Sequence, residues 1–430
     1  MQRFYIIADD LTGANDAGVQ LSKIGISSTV FLDFNETSIQ ATEDVAIIDT
    51  DSRAINEKAA YNKIYEACTV FKNQGYEHVY KKMDSTLRGN VAAELSAVVS
   101  VHSPELVVVA PAFPKMNRQT INGHQYVHGE LVSETEFGKD PKTPVIESSI
   151  PNLLKQGTDD PICLIDRELL NGDKDHLRAL VLEKVNQGRV WFVCDAKTDA
   201  DLKAIVSVFG SLNKRTVWAG SAGLIEFLPE ALHLKKTTMC EQSGLALSKT
   251  LTVSASLSNV TKRQLETVRT MSNTYFIELD PVELVKSTYS LKAIIDELLE
   301  HSDKQNFVLF VDSSANNREA TKRLEQELVL CKTQISEAIS EELGKIAKVA
   351  VIAMPEIKGL ILTGGDTAKA ICNHLNMTKL KLYTEIEIGL PLGELSSETV
   401  SRTFWTVTKS GGFGNEESLK NVLIYMSQKG

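Results

Sequence analysis

Short apolar runs alternate with amphipathic stretches from the start of the chain. Tyr5–Ala8, Ser28–Leu32, Val45–Ile48, His78–Lys82 and Leu106–Ala110 read as buried strands. Between them, Asp16–Ile24, Glu57–Phe71 and Val91–Val99 space their apolar residues as helices do. Strands alternating with helices predict a mainly parallel sheet covered by helices on both faces. The rhythm breaks around Pro111–Asp160, which reads as a long irregular section. It resumes with strand Val190–Cys194, helix Leu202–Val208, strand Val217–Ala219 and helix Ala222–Leu228.

The stretch Lys235–Lys249 is polar and weakly periodic, as a linker is. A second alternation follows it. Strands are expected at Leu251–Ala255, Thr274–Glu278, Phe307–Val311, Gly359–Leu362 and Phe404–Thr408. Helices are expected at Thr261–Met271, Pro281–Leu299, across Arg318–Met354, at Thr367–Leu375 and at Glu416–Met426. The expectation is two α/β domains, 1–240 and 241–430, each a mainly parallel sheet flanked by helices. No internal repeat or low-complexity run interrupts them.

Composition narrows the class. With 430 residues, 43% hydrophobic and 24% charged, the chain is a folded soluble protein with room for two domains. Its net charge of −10 argues against wrapping nucleic acid, yet leaves room for a local cationic site. No apolar stretch approaches the roughly 18 residues of a membrane span. The first apolar run is too short for a signal peptide, so a cytoplasmic protein is expected. Cys68, Cys163, Cys194, Cys240, Cys331 and Cys372 are scattered without a C-x-x-C pair and read as thiols. His124 and His128 lie beside Gly123 and Gly129, in a loop rather than at a metal site.

In open α/β sheets, ligands bind beyond the carboxyl ends of the strands. The first strand runs into Asp9-Asp10 and then Leu11-Thr12-Gly13-Ala14-Asn15-Asp16. Helix capping by Thr12 or Asn15 explains part of this loop but not two adjacent aspartates. Gly13 and Gly18 have P-loop spacing, but Val19-Gln20 stand where Lys-Ser/Thr belongs, which excludes a Walker A loop. The third strand ends in Asp49-Thr50-Asp51-Ser52-Arg53. The fourth ends in Lys82-Met83-Asp84-Ser85-Thr86-Leu87-Arg88-Gly89-Asn90. Arg53, Lys82 and Arg88 offer cations for a carboxylate, and Asp10 and Asp84 offer acceptors for hydroxyls, as a sugar acid requires. The Pro111–Pro114 segment, followed by Arg118-Gln119-Thr120, reads as a rigid loop over the same edge. Gly220-Ser221-Ala222-Gly223 reads as close packing of helix on sheet.

The second domain carries glycine turns at strand–helix junctions. These are Gly364-Gly365-Asp366-Thr367 and Ser410-Gly411-Gly412-Phe413-Gly414, with the serine loop Ser254–Ser258 after the first strand. Paired glycines let backbone approach a phosphate, and a helix N-terminus offers free N–H donors. Three such junctions in one domain point to a nucleotide. No G-x-G-x-x-G occurs among them, which disfavours a dinucleotide-dependent dehydrogenase.

These motifs together resemble the four-carbon acid sugar kinases. The matching segments are ADDLTGAND (8–16), DSRA (51–54), KKMDSTLRGN (81–90), ETEFGKDPKTP (134–144), LTGGDTA (362–368) and SGGFG (410–414). They span nearly the whole chain. One position departs from the family pattern: Ala255 stands before Ser256 where the family loop usually has glycine. The resemblance implies a sugar-acid domain followed by an ATP domain, with the chemistry in a cleft between them. It implies that Asp10, Arg53 and Lys82, Met83, Asp84 and Ser85, with Arg88 nearby, hold the acid. It implies that Ser256, Ser258, Gly364, Gly365, Asp366, Thr367, Gly411 and Gly412 hold ATP, accompanied by Mg²⁺. The expected reaction is phosphorylation of the 4-hydroxyl of a four-carbon acid, D-threonate first, with D-erythronate and 3-oxo-tetronate as alternatives. A non-catalytic sensor is the rival from another class. Asp84, Asp10 and Asp366 all qualify as the base, and residue types do not order them. Partners are expected to be small molecules rather than nucleic acid or membrane, with a homodimer compatible.

Overall fold

The computed structural model describes residues 3–33, 45–140, 142–234, 244–312 and 314–428. The chain divides into two compact units, Met1–Thr238 and Met239–Gly430. Most of the expected linker, including Cys240 and the 240/241 boundary, lies outside the described residues.

The first unit contains β1 (Arg3–Ala8), β2 (Ser28–Phe31), β3 (Val45–Asp49), β4 (Tyr76–Lys82), β5 (Leu106–Ala110), β6 (Arg118–Ile121), β7 (His124–Val127), β8 (Glu130–Leu131), β9 (Ile162–Ile165), β10 (Val190–Cys194) and β11 (Thr216–Gly220). Its main sheet runs β2-β3-β1-β4-β11-β5-β10-β9, with every neighbouring pair parallel. All residues of β5 and β10 are buried, because helices cover both faces of a parallel sheet. A core of Tyr5, Ile7, Val79, Leu95, Val107 and Trp191 fills one side of it. Register aligns the strand ends: Ala8 lies opposite Asp49 and Lys82, and Lys82 opposite Gly220. The order turns at β1, whose sequence neighbours lie to one side and β4 to the other, the kind of crevice that collects ligands.

The section expected to be irregular holds a three-stranded antiparallel sheet, β6-β7-β8. Its strands span four, four and two residues, too short for alternation to show. The first helix also begins earlier than expected, at Leu11. Its cap is Asp10, so Thr12 and Asn15 lie inside the helix rather than capping it.

The second unit contains β12 (Lys249–Ser254), β13 (Thr274–Glu278), β14 (Asn306–Phe310), β15 (Ile357–Thr363), β16 (Lys379–Glu387), β17 (Leu390–Ser396) and β18 (Phe404–Lys409). The order β13-β14-β12-β15-β18 is parallel, and β17 and β16 add on antiparallel. The β16–β17 hairpin is absent from the sequence reading, although Lys379-Leu380-Lys381-Leu382 alternates and buries both leucines. The expected helix Pro281–Leu299 is two helices, Pro281–Lys286 and Leu291–Glu300. Ser287 ends the first in a left-handed conformation (φ 52°), and Ser290 caps the second. Ser254, Thr363 and Lys409 end their strands in mutual register, which brings three loops to one edge.

Candidate active site

At the carboxyl edge of the first sheet, β1 delivers Asp9 and Asp10, the loop after β3 delivers Arg53, and β4 delivers Lys81 and Lys82. Arg53 spans both aspartates. Its Nε and Nη2 donate to Asp9 at 2.6 and 3.1 Å, and Nη2 and Nη1 meet Asp10 at 2.8 and 2.7 Å. Asp10 also accepts from Gly13 N at 2.8 Å, as the cap of the helix Leu11–Lys23. Gly13 is needed here, because a Cβ would stand 2.9 Å from Lys82 Nζ and 2.7 Å from Asp10 Oδ1. Lys82 is buried, and its Nζ folds back to donate to Met83 O at 2.9 Å. Lys81 is paired with Glu94 at 2.8 Å, and Glu94 also accepts from Ser52.

The loop after β4 continues the charge network. Asp84 accepts from Arg88 Nε at 2.6 Å and from the Thr86 hydroxyl. Arg88 also reaches Asp140 at 3.5 Å. Ser85 Oγ accepts from Arg118 Nη1 at 2.7 Å, and Gln125 donates to Ser85 O. Met83 is buried under this loop.

The carboxylates differ in their readiness to take a proton. Burial raises the Asp84 pKa, but Arg88 and then Arg53 outweigh it and hold the group well below the usual carboxylate range. Burial also raises Asp10, and there the attraction of Arg53 is opposed by Asp9 and Asp84, so the net direction is upward. Asp9 shares Arg53 and is lowered, because Arg53, Lys81 and Lys82 together overcome the cost of its burial.

The edge of the second sheet is built from backbone. Gly364 adopts φ 94°, open only to glycine at low cost, and starts the helix Gly365–His374. The first-turn N–H groups of Gly365, Asp366 and Thr367 have no partner within a helix, and Asp366 is exposed. Ser258 caps the helix Asn259–Val268, and Ser256 Oγ accepts from Ser258 N at 3.2 Å. Ala255, the departure from the family pattern, is not at positive φ, so its methyl group is accommodated. Gly411 lies against Ser256: a Cβ on it would stand 2.5 Å from Ser256 Oγ. A Cβ on Gly412 would meet nothing within 4 Å.

The residue missed in this region is Lys409. It ends β18, is 2% exposed, and donates to Thr261 Oγ1, Ser410 O and Gly411 O at 3.0, 3.0 and 3.1 Å. All three acceptors are neutral, and burial lowers its pKa to about 8. A lysine closing a buried strand before a glycine loop was the available signal. Asp9 and Arg118 were also left out of the expected site, though both stood in polar segments already noted. Among the described residues, no group of three or more His, Cys, Asp or Glu is placed to hold a metal ion. No described helix is long and apolar enough to cross a membrane.

An acidic and cationic cluster marks the strand ends of one α/β unit, and glycine turns mark those of a second. Residues 4–228 match the family model of a sugar-binding N-terminal domain, and residues 251–419 that of a nucleotide-binding C-terminal domain. The chain belongs to the four-carbon acid sugar kinase family, and is thus a phosphotransferase with an alcohol acceptor. It is 29% identical to a D-threonate kinase of Salmonella typhimurium over 99% of both chains. It is 29% identical to a D-erythronate kinase of Heliobacterium modesticaldum over 100% of this chain and 98% of the relative. A 3-oxo-tetronate kinase of Pseudomonas fluorescens is 23% identical over 97% of this chain and 95% of its own. A solved Haemophilus influenzae structure shares the fold with a TM-score of 0.77 and 22% identity, covering 99% of this chain and 100% of that one.

Proposed function

We propose that the protein transfers the γ-phosphoryl group of ATP to the 4-hydroxyl of D-threonate, forming 4-phospho-D-threonate. The observation that carries this reading is the charged cluster at the ends of β1, β3 and β4, where Asp10, Arg53, Lys82 and Asp84 gather. It offers acceptors for hydroxyls and positive charge for a carboxylate within one small volume. The whole-chain likeness to D-threonate and D-erythronate kinases, 29% identical in each case, supports a four-carbon acid. So does the ETEFGKDPKTP segment, whose Asp140 engages Arg88 at the pocket wall.

Asp10 is the general base in this reading. A base must accept a proton as the bond to phosphorus forms, and a raised pKa suits that task. Asp10 retains 23% side-chain exposure against 11% for Asp84. Asp84 then organises the arginines, and Lys82, close to the Asp10 end, offers positive charge to the incoming phosphoryl oxygens.

ATP lies on the second unit. Its phosphates meet the N–H groups of Gly365, Asp366 and Thr367 and the loop at Gly411 and Gly412. Its nucleoside lies on the side of Ser256 where Leu265, Arg269, Phe310 and Asp312 line a shallow groove. Exposed Asp366, beside the phosphate turn, would hold Mg²⁺ arriving with ATP, and the ion would supply charge neutralisation at the phosphates. An ATP-coupled assay over D-threonate, D-erythronate and 3-oxo-tetronate, with NMR of the product, tests the reading. D-Threonate should give the highest kcat/KM and a phosphate on C4. Inactivity with all three acids overturns it.

A further inference from the structure

The cations at the carboxyl edge of the first sheet are of two kinds. Arg53, Arg88 and Lys81 each hold a carboxylate already, and Arg53 is saturated by two. Arg118 does not. Its Nη1 donates to Ser85 Oγ at 2.7 Å, its Nε is buried with no hydrogen-bond partner, and no carboxylate stands within ion-pair distance of it among the described residues. A half-buried guanidinium whose acidic neighbours all stand beyond ion-pair distance is costly unless something completes it. Burial, the largest cause, and the like charge of Arg88 press its pKa downward by more than the attractions of Asp84, Asp16 and Glu136 raise it. An anion at this place would relieve both.

The surroundings hold Arg118 ready. Its backbone exchanges hydrogen bonds with Phe113, N to O in both directions, at 2.8 and 3.1 Å. The Phe137 ring backs it at 5.9 Å and backs Arg88 at 5.3 Å. Asp84 and Asp140 engage Arg88, which leaves Arg118 as the open fork. Lys82 also has no carboxylate at ion-pair distance, but its Nζ sits over Gly13 beside Asp10, at the end assigned to the reacting hydroxyl.

We propose that Arg118, with Ser85 beside it, grips the carboxylate of the acid substrate, so that C1 lies toward Arg118 and the C4 hydroxyl toward Asp10. This rests on the kinase reading above and adds the polarity in which the acid lies. A planar fork matches a carboxylate in two hydrogen bonds, which a hydroxymethyl group cannot reproduce. Arg118 therefore separates a four-carbon acid from the corresponding tetritol.

The test compares wild type with Arg118→Met and Arg118→Lys, using D-threonate, D-erythronate and threitol, which lacks the carboxylate. Kinetics are read together with calorimetric binding of each compound and thermal melting of each variant. The expected result is a 10- to 150-fold rise, roughly, in KM and Kd for the acids in Arg118→Met, the usual weight of a charged hydrogen bond. Near-normal kcat, partial recovery in Arg118→Lys and unchanged use of threitol should accompany it. Acid binding within twofold of wild type in a folded Arg118→Met overturns the inference. So does an equal loss for acid and threitol, which would mark a structural role. If the wild type binds the acids but phosphorylates none, the kinase reading fails, and selective loss of acid binding in Arg118→Met still supports the anchor. If the wild type binds none of them, both fall.

Discussion

The two units are built differently at the strand ends proposed to receive anions. The first surrounds its pocket with side-chain charges in ion pairs: Arg53 with Asp9 and Asp10, Lys81 with Glu94, Arg88 with Asp84. The second uses the first turn of the helix Gly365–His374, glycine loops, and one buried lysine bonded only to neutral oxygens. The difference matches the ligands proposed for each. A small acid with several hydroxyls is told from its isomers by fixed, directional side-chain groups. A triphosphate has many equivalent oxygens and needs close backbone approach more than discrimination. One device recurs in both: a lysine ends a strand and folds its Nζ onto the next carbonyl, Lys82 to Met83 and Lys409 to Ser410.

The largest expected effect separates the carboxylates of the first unit. Asp10→Asn should lower kcat by about 10²–10⁴, the loss typical of a general base, with acid binding changed less. In the wild type, kcat/KM should fall toward acid pH with a midpoint raised above that of an ordinary aspartate, because Asp10 must be ionised to accept the proton. Asp84→Asn should instead raise KM for the acid, since it loosens Arg88. Steady-state kinetics across pH decide between them, and full kcat in Asp10→Asn moves the base to Asp84 or Asp366.

Next comes stability, where side-chain ion pairing makes the first unit vulnerable. Arg53→Met leaves Asp9, 2% exposed, beside Asp10 without their shared counter-ion. Breaking a buried pair by removing one partner costs about 3–5 kcal/mol. Denaturant unfolding should show that loss, and an unchanged midpoint would mean that Asp9 and Asp10 neutralise freely.

The backbone site should break differently. Gly411→Val pushes a side chain into Ser256 and should weaken ATP binding about 10- to 150-fold, as loss of a charge-assisted contact does. Acid binding measured by calorimetry should survive, because that site is built on the first unit. Gly412→Val meets no protein atom near its Cβ, so any loss of ATP affinity there reports crowding of the ligand alone.

The smallest effect is a pH slope. With its pKa lowered to about 8, Lys409 loses its proton in the folded protein well before it would in the unfolded chain. Its burial therefore penalises the fold below pH 8, and stability gains as pH rises from about 8 toward the ordinary lysine value. Phosphates nearby would favour the charged form. ATP should bind more tightly below pH 8 and weaken by up to about tenfold per pH unit above it. Lys409→Met should flatten that slope in calorimetric titrations, and an unchanged slope would remove Lys409 from phosphate binding.

The alternation of buried strands and amphipathic helices was legible in the chain, since burial on both faces demands continuous apolar runs such as Leu106–Ala110. The sequence also showed which strand ends gather polar clusters and glycine pairs, since these stand out directly after apolar runs. It could not show the β6–β8 sheet, whose strands are too short to leave a period, and it left the β16–β17 hairpin unread. Above all, residue types cannot say which charges cancel. Arg53 and Arg118 look alike as cations in the chain, and Asp10 and Asp84 as acids. The folded arrangement pairs Arg53 with two aspartates and leaves Arg118 with none at ion-pair distance, and it sets Arg88 and Arg53 against Asp84, which is lowered, while Asp10 is pushed upward. The physical reason is that pairing and pKa depend on distances of a few ångströms between groups far apart in sequence.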